Sequence, residues 1–262
     1  MTLFCVSDVH SFLGPLKNAL NEAGFDPNNE DHWVISCGDL FDRGPESEEL
    51  LHYIMSLERK ILVKGNHDLL LEDCCMREFP YSHDFSNGTV RTINDIGGAG
   101  EGYPFDKCCE NAWNRTAAYR ASLINYFETE NYIFVHSWIP IINKDGLPAH
   151  YTDGRSFEFN PDWRQATKEA WDTAMWGNPF AMTERGLMPD KTIVFGHWHC
   201  STGWAKDEGR SEFGVDAKWE PYVNEKLKII GIDRCTAYTG KVNVLVLEDN
   251  FLESMKEIKT NG

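Results

Sequence analysis

Residues 33–44 read WVISCGDLFDRG, and this stretch decides the fold class. Trp33–Cys37 is a short apolar run of the length a buried strand needs, closed at once by Gly38. Asp39, Asp42 and Arg43 follow, charged groups that a buried layer cannot hold unpaired, so they mark the point where the chain leaves the sheet. The same order recurs on both sides. Upstream, LFCVSDVH (3–10) predicts a strand over 3–7 that ends at Asp8 and His10; downstream, KILVKGNHD (60–68) predicts a strand over 60–64 that ends at Asn66 and His67. Residues 14–23 and 46–58 between them carry apolar side chains at helical spacing, the second with Glu46, Glu48 and Glu49 at its start. Strand, helix, strand, helix, strand implies a layered α/β sheet.

The pattern loosens further along. Residues 132–135, 192–195, 228–232 and 242–247 read as strands, and 68–78, 108–128 and 162–175 as helices. Gly97-Gly98-Ala99-Gly100 is a joint, and 138–160 and 200–226 read as loops. The expectation is one domain over 1–262 with substrate-shaping insertions near 77–128 and 137–190.

Composition excludes several classes. Lys and Arg number 25 against 41 Asp and Glu, a net charge of −16, which disfavours non-specific binding to nucleic acid or anionic membranes. No apolar run approaches the roughly 20 residues of a membrane-spanning helix, and the first residues lack a secretory pattern, so a cytoplasmic location is expected. The eight cysteines form no CxxC pair and read as reduced, mostly buried thiols.

Five predicted strands end in metal-type ligands: Asp8 and His10, Asp39, Asn66 and His67, His136, then His197 and His199. Strand carboxyl ends lie side by side in an α/β sheet, so these groups can converge. Carboxylates, imidazoles and an amide oxygen together suit Mn, Fe or Zn better than Ca. Two such ions could orient a hydroxide and neutralise a transferring phosphoryl group. Trp138, Trp198 and Trp204 fall in or near the site loops and could stack on a substrate ring, although aromatic residues are more often core.

Ser7–His10, Gly38–Gly44, Gly65–Asp68, Val135-His136 and Gly196–His199 resemble, in order and spacing, the motifs of the calcineurin-like metallophosphoesterase superfamily. The GDLFDRG form resembles its phosphoprotein phosphatase branch, with serine/threonine phosphatases of bacterial and phage type. Residues 231–242 resemble the closing hairpin of bacterial members that include symmetrical diadenosine tetraphosphatases. The resemblance implies a layered β-sandwich flanked by helices, with a dinuclear metal site at the strand ends. It further implies that Asp8 and His10 bind one metal, Asp39 bridges, and Asn66, His136 and His197 hold the second, Mn being the expected ion. His67 would be the general acid, Asp42 its support, and Arg43 the phosphate clamp. The implied reaction is hydrolysis of a phosphomonoester, a Ser/Thr or Tyr phosphate on a protein, by a metal-bridging hydroxide without a phosphoenzyme. The alternative substrate is a dinucleoside polyphosphate or another nucleotide.

Three positions depart from the branch pattern. Asp68 stands where Glu is usual. Trp176-Gly177-Asn178 lacks an expected Arg, so Arg185 is the candidate second phosphate ligand, with Arg115 and Arg120 as fallbacks. His199 is additional, and in the wider superfamily its counterpart binds the first metal.

Overall fold

A computed structural model of the chain describes residues 1–100, 102–143 and 157–251. The chain opens with β1 (Thr2–Val6), α1 (Leu13–Glu22), β2 (His32–Ser36), α2 (Ser47–Ser56) and β3 (Lys60–Val63). A helical block follows: α3 (Asn66–Arg77), α4 (Ser82–Asn87), α5 (Thr89–Gly97), α6 (Phe105–Arg115) and α7 (Ala117–Ser122). Next come β4 (Leu123–Ile124), β5 (Phe127–Glu128), β6 (Tyr132–Phe134) and the short pair β7 (Ile142–Asn143) and β8 (Phe157–Glu158). The chain continues through α8 (Lys168–Ala174), α9 (Pro179–Glu184), β9 (Thr192–His199), α10 (Cys200–Glu208), β10 (Tyr222–Asn224), β11 (Ile229–Asp233), α11 (Thr236–Thr239) and β12 (Leu245–Glu248).

The strands form two five-stranded sheets, ordered β12-β1-β2-β3-β4 and β10-β11-β9-β6-β5. β1 to β4 run parallel, as do β6, β9 and β11. Alternation along each strand assigns the layers. Leu3, Cys5, Trp33, Ile35, Ile61 and Val63 face Phe127, Phe134, Val194, Ile230 and Ile232 between the sheets. Phe4, Val6, Val34 and Leu62 point the other way, into a core with Leu16, Leu20, Leu50, Ile54, Ile93 and Ile96 of the flanking helices. Ile133, Val135, Ile193, Phe195 and Ile229 do the same on the far side, against Trp171, Phe180 and Cys200. Both faces of both sheets are therefore buried, which is why these strands read as continuous apolar runs. The expected layered sandwich is the observed architecture.

Several sequence expectations need correction. The stretch 108–128 is not one helix: it breaks at Thr116, and its last residues supply β4 to one sheet and β5 to the other. Phe127 explains this, because its ring fills the inter-sheet core. The 162–175 helix is a 3₁₀ turn at Trp163–Gln165 and then α8, which starts where Thr167 accepts a hydrogen bond from Ala170 N–H. Residues 200–226 contain α10 and β10. α4, α5 and α9 lie in stretches that showed no clear period. Of the expected 138–160 loop, residues 144–156 lie outside the described residues, and β7 and β8 flank them. All eight cysteines are unpaired, and all except the half-buried Cys235 are buried. No helix among the described residues is long and apolar enough to cross a membrane.

Candidate active site

The parallel strands of both sheets release the chain at one edge. The turns that follow are held to one another through the backbone. Asp8 N–H donates to Gly38 C=O (3.1 Å), His10 N–H to Asp39 C=O (3.1 Å), Gly44 N–H to His10 C=O (2.9 Å) and Gly196 N–H to His136 C=O (2.8 Å). Packing loops this tightly forces unusual backbone. Ten non-glycine residues have positive φ among those described, and six are Asp8, His10, Asp39, Asp42, Arg43 and His197. Such conformations persist only where the surroundings over-determine them, and they cluster at functional sites. The motif glycines are required sterically. A Cβ on Gly65 would strike the Asp39 carboxylate, one on Gly196 would strike Ser7 and the Asp8 carboxylate, and one on Gly38 would come within 2.6 Å of His136 Nδ1.

Asp8, His10, Asp39, Asn66, His67 and His136 are all buried, and His197 is half-buried. Two triads of potential ligand atoms, His10/Asp39/His67 and Asp39/His136/His197, each fit within 4.8 Å, and Asp39 belongs to both. The imidazoles are aimed. His136 Nδ1–H donates to Cys37 C=O (2.8 Å), leaving Nε2 facing Asn66 Oδ1 (2.7 Å) and Asp39 Oδ2 (3.4 Å). His10 Nδ1–H donates to Phe41 C=O (2.9 Å), and its Nε2 lies 3.9 Å from Asp8 Oδ1. A backbone carbonyl that fixes one ring nitrogen and turns the other inward is the usual outer support of a metal-bound histidine. Asp8 Oδ2 accepts from His197 N–H (2.8 Å) and from Ser7 Oγ.

The electrostatics favour cations here. Burial, with repulsion from Asp39, raises the Asp8 carboxyl above its ordinary value against the pull of His136. Burial and the nearby Asp8 raise Asp233 well above its own. Burial also opposes the charged form of Asp39, yet His136 and His67 win and hold it well below. Burial and Arg43 keep His10 neutral, and burial with the charge of His136 pushes His197 down to about 3. The neutral imidazoles of His10 and His197 and the crowded buried carboxylates are donors that a pair of divalent ions would satisfy.

At the mouth sit His67, Asp42 and Arg43. His67 Nδ1–H donates to the fully buried Asp42 Oδ2 (2.7 Å). Burial lowers the His67 pKa, but Asp39 and then Asp42 outweigh it, and the net direction is up. Arg43, solvent-exposed, donates to His10 Nε2 (2.8 Å) and has its other terminal nitrogen 3.2 Å from His67 Nε2, so its guanidinium faces the cluster. The supports of this group come from the 77–128 segment and were not legible in the sequence. Thr89 Oγ1 donates to Asp42 Oδ2 (2.7 Å), Thr92 Oγ1 accepts from Asp42 N–H (3.0 Å), and a Cβ on Gly88 would clash with the Arg43 backbone. Asp68 accepts from Gly65 N–H (2.8 Å) and Tyr119 OH (2.7 Å), capping α3 where Asn66 and His67 stand. The one local signal in this stretch that could have pointed to them is the turn dipeptide Asn87-Gly88.

Asp8 and Asn66 belong to neither triad but touch their members, Asp8 Oδ1 lying 3.9 Å from His10 Nε2 and Asn66 Oδ1 2.7 Å from His136 Nε2; His199 and Arg185 make their contacts elsewhere. His199 sits with Nε2 3.8 Å from Asp233 Oδ2 and Nδ1 3.9 Å from Glu212 Oε1, and its ring meets Phe213 and Trp219. Arg185 is exposed at the end of α9, its guanidinium 5.4 Å from the Phe157 ring centre. Of the tryptophans, Trp138 is core, Trp198 is tied to Gly177 C=O (2.9 Å), and Trp204 lies under Lys218. Trp176 instead faces His197, ring centres 6.1 Å apart.

The profile of the calcineurin-like phosphoesterase family matches residues 1–201. A protein of Pseudomonas fluorescens (strain SBW25) named bis(5'-nucleosyl)-tetraphosphatase, symmetrical, is 43% identical over 269 residues, covering 84% of this chain and 88% of that one. A protein of the same name from Thioalkalivibrio sulfidiphilus (strain HL-EbGR7) is 43% identical over 72 residues, so the match spans 26% of that relative and 27% of this chain. Among solved structures, a protein provisionally named a diadenosine tetraphosphatase superposes with a TM-score of 0.52 at 17% identity, covering 96% of this chain and 94% of that one. A mutant cold-active protein tyrosine phosphatase gives 0.50 at 15% identity, covering 95% and 76%. At such identities the likeness is of fold alone.

Proposed function

The chain belongs to the calcineurin-like phosphoesterase family, and from that premise we propose that it is a metal-dependent phosphohydrolase acting on a dinucleoside polyphosphate. The observation that carries the hydrolytic reading is the pair of ligand triads sharing Asp39, with His67 and Arg43 turned onto the same point. Asp8, His10, Asp39, Asn66, His136 and His197 would hold two divalent ions, Mn among the candidates. Bound there, the ions supply Lewis acidity and an activated water.

The chain's own groups do the rest. Arg43 pairs with phosphate oxygens through its planar fork and sets the phosphorus over the cluster. Water adds to phosphorus and gives up one proton to solvent, the bond to the leaving oxygen breaks, and that oxygen takes the proton from His67 Nε2. Asp42 keeps Nδ1 protonated, so Nε2 is the atom that releases the proton. Symmetrical cleavage of a tetraphosphate would release two nucleoside diphosphates.

The expected order of substrates is reversed from the sequence reading, which placed phosphoproteins first. The names of the relatives support the nucleotide. The test is a panel of an aryl phosphate, phosphopeptides and dinucleoside tetraphosphates with added Mn. The dinucleoside tetraphosphate is expected to have the highest kcat/KM, with nucleoside diphosphates as products. Turnover of phosphopeptides without turnover of the dinucleotide would reject the nucleotide reading.

A further inference from the structure

Three aromatic residues remain that the chemistry above does not use. Phe213 and Trp219 lie between α10 and β10, and Tyr238 lies on α11. Their rings form a closed triangle: Phe213 to Trp219 5.8 Å, Phe213 to Tyr238 5.5 Å, Trp219 to Tyr238 5.7 Å. Phe213 is 47% and Tyr238 61% exposed. Single exposed rings need no explanation, but a contiguous group of them marks a binding surface.

The triangle is anchored to the site. The His199 ring lies 5.6 Å from Phe213 and 6.2 Å from Trp219, and His199 is two residues beyond His197 on the same strand. Two residues of extended chain span at most about 7 Å. Tyr238 is tied to the end of the neighbouring strand, since its N–H donates to Cys235 C=O (2.8 Å) and Cys235 N–H donates to Asp233 Oδ1 (2.6 Å). Asp233 pairs with His199 across β11 and β9. The charge at the rim is negative: the half-buried Glu212 lies beside His199. A carboxylate next to exposed rings suits a flat ligand that carries an amino donor, and adenine presents one at N6.

We propose that Phe213, Trp219 and Tyr238 form a stacking platform for the adenine base of a nucleotide whose phosphate lies at the ligand cluster. The inference rests on the nucleotide reading above and adds the residues that would select for it. Base stacking on aromatic side chains is worth on the order of tenfold or more in affinity per base.

The test uses competitive inhibition of aryl phosphate hydrolysis by AMP and by ribose 5-phosphate, which differ only in the base. Trp fluorescence titration of the Mn-loaded protein reads the same ratio without turnover. AMP is expected to bind about tenfold more tightly in the native chain. The Phe213→Ala/Tyr238→Ala double variant should bring the two together, while Phe85→Ala, at an exposed aromatic elsewhere, should keep the difference. Equal binding of AMP and ribose 5-phosphate by the native chain, or a difference that survives the double variant, overturns the platform. Dinucleoside tetraphosphate turnover on the same samples separates the two claims. Base preference without that turnover sinks the proposed function and leaves the platform standing; turnover without base preference does the reverse.

Discussion

Asp42→Asn isolates the support of the general acid. Asp42 is fully buried, and its Oδ2 accepts from both His67 Nδ1 (2.7 Å) and Thr89 Oγ1 (2.7 Å). An asparagine of the same shape can keep both hydrogen bonds through its amide oxygen and lose only the charge. A hydrogen bond to a charged group contributes about 1.5–3 kcal/mol and a neutral one about 1, so the imidazolium loses roughly 1 kcal/mol or slightly more. One pKa unit is about 1.4 kcal/mol, so the His67 pKa falls by about one unit. The acid must be protonated to act. Activity is therefore lost as pH rises through that pKa, and the alkaline limb of kcat should move about one unit toward lower pH. Above the limb the rate falls roughly tenfold, with KM little changed. The assay is the pH profile of kcat on the Mn-loaded protein with two esters, one with a good leaving group and one with a poor one. The poor leaving group depends more on the acid and should show the larger loss. An alkaline limb that stays in place, or equal losses on both esters, would refute the role given to Asp42 and His67.

Three further outcomes are expected. Gly196→Ala puts a methyl group into Ser7 and the Asp8 carboxylate, so the variant should retain its circular dichroism yet bind fewer than two ions per chain by elemental analysis; full metal content would contradict the steric argument. Arg185→Ala should raise KM for the phosphorylated substrate more than Lys206→Ala, and equal effects would remove Arg185 as a phosphate ligand. Glu128 is held below its ordinary value of 4.5: burial opposes this, but Arg164 and Lys191 prevail. The stability it contributes is thus fully present above pH 4.5 and lost as pH falls through its lower folded value, so the urea midpoint should drop on acidification, and drop less in Glu128→Gln. Identical acid sensitivity in both proteins would show that the Arg164 and Lys191 pairs do not stabilise the fold.

Strands β1, β2, β3, β6, β9 and β11, and the residues that close them, were legible in the sequence. Apolar runs of strand length, each closed by Gly and a ligand-type residue, are local signals, so Asp8, Asp39, Asn66, His136 and His197 could be named from short stretches. Segments where the period failed were misread because their structure is set at a distance. Phe127 is strand because the opposite sheet needs its ring, and the helices of 82–97 form around Gly88, Thr89 and Thr92, which meet Asp42 and Arg43 from about 50 residues away. Which nitrogen of His136 and of His10 faces the cluster was set by tertiary structure, because the backbone carbonyls of Cys37 and Phe41 on a neighbouring turn make that choice. It also brought the buried Asp233 opposite His199 and gathered Phe213, Trp219 and Tyr238 at the rim. Spacing along the chain carries no information about such meetings, since they depend on how two sheets stack and how their connecting loops close over one edge.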